Sequence, residues 1–424
     1  MRTLAEWLAW QEAQPREAIQ LGLERVAQVA ERMGLSTLPF PVITVAGTNG
    51  KGSTCALLTS CLLAAGCQVG TYTSPHLERY NERIALNATP VADDLIVQAF
   101  EVINAARGEI SLTYFEFGTL AALYCFVKQS VDIAVLEVGL GGRLDAVNIW
   151  DADMAIVTSI GLDHIEWLGS DRDSIGAEKT AIARKGRYLI SGDPNPPASI
   201  QATAQALGAT VLQYGVDFKI LNSDTEEFTV ATPLSVTTYP RPALNPEVQL
   251  INAACVIIAL QLLQLPPPLL VDSASLALGL RRVCLKGRLQ QVSTQPSVWV
   301  DVAHNGHAAQ SLATWLRQQS TEGQTHAVFS ILADKDLATV ASTLSQVIDT
   351  WHVFALEGKR ALPLNELVSI LAKINPNAVI YTYIDLLPAL QGAISQCNTR
   401  DRVVAFGSFL VVSGVLKQFS PSTI

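Results

Sequence analysis

The sequence has few of the features that mark membrane or nucleic-acid-binding proteins. Only 16% of its 424 residues are charged, and acidic residues outnumber basic ones by 38 to 29, which gives a formal net charge of −9. Such a chain lacks a general basic surface for nucleic acid. Its most apolar stretch, AACVIIAL (253–260), stops at Gln261 and is far shorter than the about 20 residues that span a bilayer. We therefore expect neither nucleic-acid nor membrane partners.

Cysteine is sparse and carries no metal or disulfide pattern. The seven cysteines form no C-x-x-C pair, and the first residues, MRTLAEWLAWQEAQ, contain Glu6 and Glu12 and lack an apolar signal core. These features predict reduced thiols in a cytoplasmic protein. No repeat or low-complexity tract stands out, and a monomer is the default expectation.

Length and patterning predict two α/β domains. A chain of 424 residues, 49% of them hydrophobic, exceeds one ordinary core. The opening 35 residues have helical spacing broken near Pro15. Strands are then predicted at 41–46, 67–73, 131–139 and 153–160, and helices at 53–66, 94–106 and 115–129. Continuous apolar strands of this kind are buried on both faces of a parallel sheet.

A second series follows a small β excursion at 215–245 and helices at 248–264 and 273–284. Its strands are predicted at 298–303, 326–332, 352–357, 378–383 and 402–407. The fold class is therefore α/β, with an N-terminal domain that has a mostly parallel sheet and that the glycine-rich segment described next predicts to be P-loop ATPase-like. A smaller, Rossmann-like α/β domain follows it, and we expect the domains to cover residues 1–285 and 286–424.

The segment VAGTNGKGSTC (45–55) predicts a phosphate-binding loop between a strand and a helix. Glycines permit turns that present backbone N–H groups, and a helix N-terminus adds positive potential. Lys51 can reach between phosphates, and a hydroxyl at Ser53 or Thr54 can ligate Mg²⁺. The alternative is a plain glycine-rich turn, because Gly52 separates Lys51 from Ser53. The residues expected to hold the nucleotide here are Thr48, Asn49, Gly50, Lys51, Gly52 and Ser53.

The sequence GTNGKGS resembles the loop of the folylpolyglutamate synthases and dihydrofolate synthases, relatives of the Mur ligases. Further blocks that resemble this family extend across almost the whole chain in the expected order. They are TSPHLERYNERI (73–84), LTYFEFGTLAAL (112–123), LEVGLGGRLDAVNI (136–149), VTSIGLDHIEWLG (157–169), EKTAIAR (178–184), DVAHNGHAA (301–309) and FGSF (406–409). The combination is highly specific, whereas no single block is.

The resemblance implies an ATP-dependent amide ligase. Such an enzyme adds L-glutamate to dihydropteroate, giving dihydrofolate, and further glutamates to reduced folates, through an acyl phosphate. It implies ATP and two Mg²⁺ ions as cofactors, with an ATP- and pterin-binding first domain and a glutamate ligase second domain. Alternatives are a monofunctional folylpolyglutamate synthase, a Mur-type ligase acting on a cell-wall nucleotide precursor, and a non-catalytic nucleotide-binding regulator.

Metal ligands and a special lysine are implied by the same resemblance. Ser53 would serve the metal between the β- and γ-phosphates, while Ser74, Glu137 and His164 would ligate a second Mg²⁺. From the residues alone, Glu137 is either a metal ligand or a salt-bridged strand end, and His164 a structural histidine. Lys179 alone would be a solvated helix lysine, whereas the family places a carbamylated lysine there.

The remaining site residues fall into two groups. The block Thr113–Glu116 resembles the pterin pocket, since aromatic faces sandwich flat rings; on periodicity alone its aromatics are core residues. Asn252, Arg288 and Asp301 match nucleotide-binding positions, although Asn252 lacks the preceding Gly-His of many relatives and its helix also suits packing. His304 is a candidate contact to phosphate or glutamate. The pocket residues are Thr113, Tyr114, Phe115, Glu116, Leu144, Asp145 and Ala146.

Overall fold

The computed structural model describes residues 2–13, 21–245, 247–319, 321–358 and 360–419. These residues form two compact units. The N-terminal unit comprises Met1–Ala243 and Gln249–Cys284, and the C-terminal unit comprises Leu244–Val248 and Leu285–Ile424. The predicted break near Pro15 lies outside the described residues.

An eight-stranded sheet forms the centre of the N-terminal unit. Its strand order is β4-β3-β2-β5-β1-β6-β7-β8, in which the β2–β3 and β3–β4 pairs are antiparallel and the other pairs are parallel. The strands are β1 (Val42–Ala46), β2 (Val69–Tyr72), β3 (Ile84–Leu86), β4 (Thr89–Pro90), β5 (Ile133–Glu137), β6 (Met154–Val157), β7 (Tyr188–Ser191) and β8 (Thr210–Gln213).

The central strands are buried along their whole length because helices cover the sheet. Every residue of β1, β2, β5 and β6 is buried, as expected for parallel strands with both faces covered. The helices of this unit are α1 (Leu4–Glu12), α2 (Glu24–Arg32), α3 (Lys51–Ala64), α4 (Asp93–Arg107), α5 (Tyr114–Lys128), α6 (Ile165–Leu168), α7 (Arg172–Thr180), α8 (Ala198–Leu207), α9 (Val248–Leu262) and α10 (Ser273–Arg282), with 3₁₀ turns at Tyr80–Arg83 and Ala146–Ile149.

The predicted β excursion is a separate three-stranded antiparallel sheet. It consists of β9 (Lys219–Ser223), β10 (Glu227–Ala231) and β11 (Val236–Pro240), with β10 in the middle. Across the described ranges, every helix falls short of the length and apolarity needed to cross a bilayer.

The C-terminal unit contains a six-stranded sheet of order β12-β13-β17-β14-β15-β16, in which only the β12–β13 pair is antiparallel. The strands are β12 (Gln290–Thr294), β13 (Ser297–Val300), β14 (Thr325–Phe329), β15 (Thr350–Val353), β16 (Val379–Thr382) and β17 (Arg402–Phe406). Its helices are α11 (Gly306–Gln318), α12 (Leu337–Leu344), α13 (Leu364–Ile374), α14 (Leu386–Gln396) and α15 (Phe409–Phe419).

The predicted fold class is confirmed, and the differences are local. The helix expected from 53 begins at Lys51, because Gly50 adopts a left-handed conformation (φ 89°) as its N-cap. The strand expected at 153–160 ends at Val157, because Thr158 and Ser159 turn to contact the phosphate loop. Strands β3, β4, β7, β8 and β12 were not predicted; all of them except the five-residue β12 have four residues or fewer.

Helix α3 is held by a close contact with α10. A Cβ on Gly279 would overlap the backbone of Cys61, approaching its nitrogen to 2.6 Å, and the Ser60 hydroxyl donates to the Gly279 carbonyl at 2.7 Å. We expect Gly279→Ala to lower the free energy of unfolding by about 1–3 kcal/mol, although the same change at an open helix position would raise stability by about 1 kcal/mol. Urea unfolding followed by circular dichroism measures this.

The exposed Leu278 on the same helix supplies the control. Leu278→Ala should change the free energy of unfolding by less than about 0.5 kcal/mol. A Gly279→Ala protein as stable as the parent would contradict the close packing of α3 on α10.

Candidate active site

The parallel register brings the ends of four strands to one edge of the N-terminal sheet. Val45 of β1 pairs with Glu137 of β5, and Ala46 pairs with Val157 of β6. Tyr72 of β2 pairs with Leu136 of β5. The segments that follow these strands therefore start side by side, at the edge where open α/β sheets bind ligands.

The loop between β1 and α3 is fixed to the segment after β6. The backbone N–H of Thr48 donates to the Ser159 carbonyl at 2.7 Å, and the Thr158 and Ser159 hydroxyls donate to the Asn49 carbonyl at 2.6 and 3.1 Å. Gly47 has a φ of 149°, and a Cβ there would overlap the Thr158 hydroxyl. The loop therefore has a fixed backbone conformation that requires glycine at position 47.

Lys51 and Ser53 occupy the first turn of α3, where the predicted phosphate site requires them. The Lys51 ammonium donates to the carbonyls of Gly47 and Thr48 at 3.0 and 3.4 Å, which holds it over the loop. Ser53 is 2% exposed, so its hydroxyl lies in the protein rather than in bulk water. Gly52 is part of the same helical turn.

A polar chain from α9 supports this turn. The Asn252 amide donates to the Gln249 side-chain oxygen at 2.9 Å, and the Gln249 amide donates to the Ser53 hydroxyl at 3.2 Å. A Cβ on Gly50 would lie 3.1 Å from the Asn252 amide. The structure therefore places Asn252 beside the phosphate loop. Gln249 was missed from the sequence; its one signal is polar spacing three residues before Asn252 in an apolar helix.

Ser74 and Glu137 are also brought together. Glu137 ends β5 with 5% exposure, and the Ser74 backbone N–H donates to its carboxylate at 3.1 Å. His164 follows β6 at the same edge, with a left-handed φ of 52°. Its Nε2 lies 4.0 Å from the carboxylate of Asp163. Joint coordination of a metal by Ser74, Glu137 and His164 stays a prediction.

Lys179 is a buried lysine on α7, not a solvated one. It is 5% exposed, and its pKa is lowered to about 7, with burial as the largest cause. The charge of Lys51 contributes to this lowering, whereas the carboxylates of Asp163 and Asp145 oppose it. These three groups therefore lie near enough to Lys179 for their charges to act on its amine. Much of the amine is neutral near pH 7.

The aromatic residues of the predicted pocket are half-buried. Phe115 packs on Gly139, whose Cβ would approach its ring to 2.6 Å, so the block at 113–116 meets the loop after β5. The Tyr114 ring lies edge-on to Tyr80 at 5.6 Å, and the Arg83 guanidinium lies 5.4 Å from its centroid. Leu144 is partly exposed and Ala146 buried in that same loop region.

The two carboxylates of this region have local partners. Glu116 accepts from the Thr113 backbone N–H at 2.6 Å in a capping box of α5, and it pairs with Arg25 at 3.0 Å. Asp145 accepts from the N–H groups of Leu140 and Val147 at 2.8 and 3.1 Å. Burial nevertheless raises the Asp145 pKa to about 6. These local partners fix the orientation of both carboxylates. Arg25 lies in LGLERV (21–26), a segment whose resemblance to the family also points to this pocket.

The C-terminal unit gathers its own predicted residues after β13. Asp301 accepts from the N–H groups of Leu289 and Ala303 at 2.9 and 2.8 Å, and burial raises its pKa despite the nearby Arg288 charge. The Arg288 guanidinium lies 5.3 Å from the Phe409 ring, and the His304 imidazole lies 6.1 Å from it. Phe409 therefore links Arg288 and His304.

Comparison with known proteins agrees with this geometry. The Mur ligase middle domain matches residues 45–259, and the Mur ligase glutamate ligase domain matches residues 287–409. The dihydrofolate synthase/folylpolyglutamate synthase of Escherichia coli (strain K12) is 41% identical over 98% of this chain and 95% of its own length.

Two solved structures are similar throughout. E. coli FolC in complex with DHPP and ADP superposes with a TM-score of 0.92 at 40% identity, covering 98% of this chain and 97% of that one. A bifunctional folylpolyglutamate synthase/dihydrofolate synthase with Mn, AMPPNP and L-glutamate bound has a TM-score of 0.90 at 41% identity, with 99% of each chain covered.

The fold and the phosphate loop thus define a ligase of the Mur type. Within that class, the chain belongs to the dihydrofolate synthase/folylpolyglutamate synthase family. The resemblance inferred from the motifs is confirmed.

Gly142 determines how closely the loop after β5 approaches α7. Its Cβ would lie 2.5 Å from the Glu178 carbonyl oxygen and 3.0 Å from the Lys179 Cα. Gly142→Ala should push α7 away and displace Lys179, lowering turnover by about 10²-fold, the effect of a misplacement near 1 Å. Steady-state ATP turnover measures it.

Gly186→Ala is the matched control, because Gly186 has a φ of 71° and open space around it. That variant carries backbone strain without a clash and should keep turnover within a factor of a few. Equal losses in the two variants would show that general destabilisation, not the position of Lys179, is responsible.

Proposed function

We propose that this protein is a bifunctional dihydrofolate synthase/folylpolyglutamate synthase. It joins L-glutamate to dihydropteroate and further glutamates to reduced folates, using ATP to activate the acceptor carboxylate as an acyl phosphate. The observation that carries the proposal is the phosphate loop lying beside the buried Glu137 carboxylate and the buried Lys179 amine. The relatives' complexes with ADP, AMPPNP, Mn, DHPP and L-glutamate support it.

The chain's own residues suit a triphosphate. The N–H groups of the loop from Thr48 to Gly52 and the N-terminus of α3 favour negative charge. The Lys51 ammonium already lies over the loop, where it donates to a backbone carbonyl. A rotation of its side chain is enough to contact phosphate oxygens instead. Because Thr158 and Ser159 hold the loop, little reorganisation accompanies binding.

The donor set also suits Mg²⁺. Ser53 would hold the ion at the phosphates, and Ser74, Glu137 and His164 would hold a second. Hydroxyl and carboxylate oxygens are the ligands this ion prefers, and a carboxylate as buried as Glu137 is costly without a cation. When bound, the ions neutralise charge on the phosphoryl group in transit.

We propose that Lys179 is carbamylated. A carbamate forms when a neutral amine adds to CO₂ and loses a proton to water, and the lowered pKa of Lys179 provides the neutral amine near pH 7. The product places an anion where the ammonium form would be disfavoured by the charge of Lys51, and it gives Lys51 a counter-charge. The anion then helps to order the metal-binding residues.

We assign the substrate-binding residues as the sequence predicts them. Half-buried Tyr114 and Phe115 provide faces for a pterin ring, and Leu144, Asp145 and Ala146 form the adjoining segment. In the C-terminal unit, the glutamate ligase domain of the proposal, Arg288 and Asp301 bind nucleotide and His304 contacts phosphate or glutamate. We further propose a cytoplasmic monomer whose seven cysteines stay reduced, in keeping with their lack of disulfides.

The acceptor substrate distinguishes the proposed function from two alternatives. A monofunctional folylpolyglutamate synthase would use a reduced folate but not dihydropteroate, and a Mur-type ligase would use a UDP-muramoyl precursor. The aromatic faces of Tyr114 and Phe115 favour a flat heterocycle over a sugar nucleotide.

Phosphate release with defined acceptors tests the function. We expect glutamate-dependent release of phosphate from ATP with dihydropteroate and with tetrahydrofolate, and none with UDP-muramoyl substrates. Lys51→Ala should lower turnover by about 10²–10³-fold or more, since it removes a charge from the transition state. Its circular dichroism spectrum should be unchanged.

Lys185→Ala, which removes an exposed lysine of the same unit, is the control and should keep full activity. Release with UDP-muramoyl substrates alone would reject the folate assignment. Full turnover in Lys51→Ala would reject the phosphate contact.

Lys179→Ala should abolish most turnover because it removes the anion proposed beside Lys51. Acetate or propionate added at tens of millimolar should restore part of it, whereas chloride at equal ionic strength should not. Activity assays of Lys179→Ala with and without the added carboxylate, and of Lys185→Ala as the reference, measure the effect. Full activity of Lys179→Ala without any added carboxylate would dismiss the carbamate.

A further inference from the structure

Three side chains meet at the amino ends of β14 and β17 in the C-terminal unit. His326 lies on β14, Asp401 immediately precedes β17, and Cys397 follows the last residue of α14. One ligand atom from each lies within 4.8 Å of the other two. His326 and Asp401 are buried, and Cys397 is partly exposed. Neither the family resemblance nor the ligase site uses these residues.

His326 has an unused nitrogen directed into this cluster. The residue is 2% exposed, and its Nε2 has no hydrogen-bond partner among the described residues. That nitrogen lies 3.9 Å from the Asp401 Oδ2, beyond hydrogen-bonding distance. A buried imidazole nitrogen without a hydrogen bond is costly, so a partner from outside the described residues would stabilise this arrangement.

We propose that His326, Cys397 and Asp401 bind a divalent transition-metal ion, with Zn²⁺ as the favoured ion. Thiolate, imidazole and carboxylate together are a ligand set typical of zinc, and three protein ligands leave a fourth position for water. The proposed metal site is independent of the ligase function.

The spacing fits a tetrahedral ion after a small contraction. Zinc–nitrogen and zinc–oxygen bonds of about 2.0–2.1 Å at a tetrahedral angle place the two ligand atoms about 3.3 Å apart. The observed separation of Nε2 and Oδ2 is 3.9 Å, so the side chains of His326 and Asp401 each need to move by a few tenths of an ångström, and the three ligand atoms already lie within 4.8 Å of one another. Partial exposure of Cys397 leaves a route for the ion.

Neighbouring residues orient the imidazole for this role. His326 Nδ1 lies 3.1 Å from His352 Nε2, and His352 Nδ1 lies 3.0 Å from the Tyr383 hydroxyl. If each Nδ1–H donates along this chain, Tyr383 accepts the last hydrogen bond and His326 Nε2 presents its lone pair. Metal-binding histidines are usually fixed by such a hydrogen bond from their second nitrogen.

The carboxylate is fixed in the same way. The backbone N–H of Gln324 donates to Asp401 Oδ1 at 2.7 Å, and the N–H of Asn398 donates to Oδ2 at 2.8 Å. These two hydrogen bonds give the carboxylate a defined orientation.

A cysteine–histidine–aspartate catalytic triad does not fit the geometry. In a triad, the carboxylate accepts from one imidazole nitrogen while the other faces the nucleophile. Here His326 Nδ1 lies within hydrogen-bonding distance of His352, and Asp401 lies on the Nε2 side without accepting a hydrogen bond from it. The carboxylate therefore does not orient the imidazole as the carboxylate of a triad does.

The proposed metal site is separate from the ligase residues of its unit. Asp301 and His304 follow β13 at the carboxyl ends of the parallel strands, whereas Asp401 precedes the parallel β17. A five-residue strand spans about 15 Å, so the two sets lie at opposite edges of the sheet. A bound ion would join the end of α14 to the starts of β14 and β17.

Cobalt substitution in the full chain tests the proposal. After chelator treatment and with Mg²⁺ in excess, we expect one equivalent of Co²⁺ to give a thiolate-to-metal charge-transfer band that Zn²⁺ displaces. Cys397→Ser should lose the band, and Cys284→Ser, which removes an exposed cysteine, should keep it. His352→Phe should weaken Co²⁺ binding about 10–100-fold.

Circular dichroism of each variant reports whether it has folded, and Cys397 lies at a partly exposed helix end where serine is easily accommodated. A wild-type protein without the band, or a Cys397→Ser protein that retains it, would overturn the metal site. An unchanged affinity in His352→Phe would contradict the proposed orientation of His326.

Discussion

The fixing of the phosphate loop to the segment after β6 is the constraint on which the candidate active site depends. Two hydroxyls and a backbone carbonyl of Thr158 and Ser159 determine where the loop backbone runs. The loop in turn sets the start of α3 and therefore the positions of Lys51 and Ser53. Because β1, β5 and β6 are neighbours in register, the same contact places the loop beside Glu137.

Buried ionisable groups surround this loop, and each is costly to bury by itself. Glu137, Asp145 and Lys179 are all 5% exposed or less. Burial raises the pKa of Asp145 and lowers that of Lys179, so both groups are displaced toward their neutral forms. The protonation of such groups depends strongly on the charges placed near them. Perturbed groups in such a crevice are typical of function rather than of stability.

The two ends of the parallel strands in the C-terminal sheet carry different groups of polar residues. Asp301, Arg288 and His304 stand near the carboxyl ends of its parallel strands, the edge that binds ligands in open α/β sheets. His326, Asp401 and Cys397 lie at the amino ends, where His326 and Asp401 are buried and Cys397 is partly exposed. The proposed metal site and the proposed nucleotide-binding residues are therefore separated by the length of the strands.

Local sequence determined the elements and the loop. Apolar runs specify β1, β5 and β6, and glycines at 47, 50 and 52 with Lys51 and Ser53 specify an anion cradle, because strand burial and turn conformation are encoded by residues close in the chain. Tertiary structure alone decided which buried polar groups became partners. Gln249 supports Ser53 from 196 residues away, Arg25 reaches Glu116 across 91, and Asp401 meets His326 only through the pairing of β14 with β17. Such partners satisfy hydrogen bonds and charge by proximity in space, which no local periodicity records.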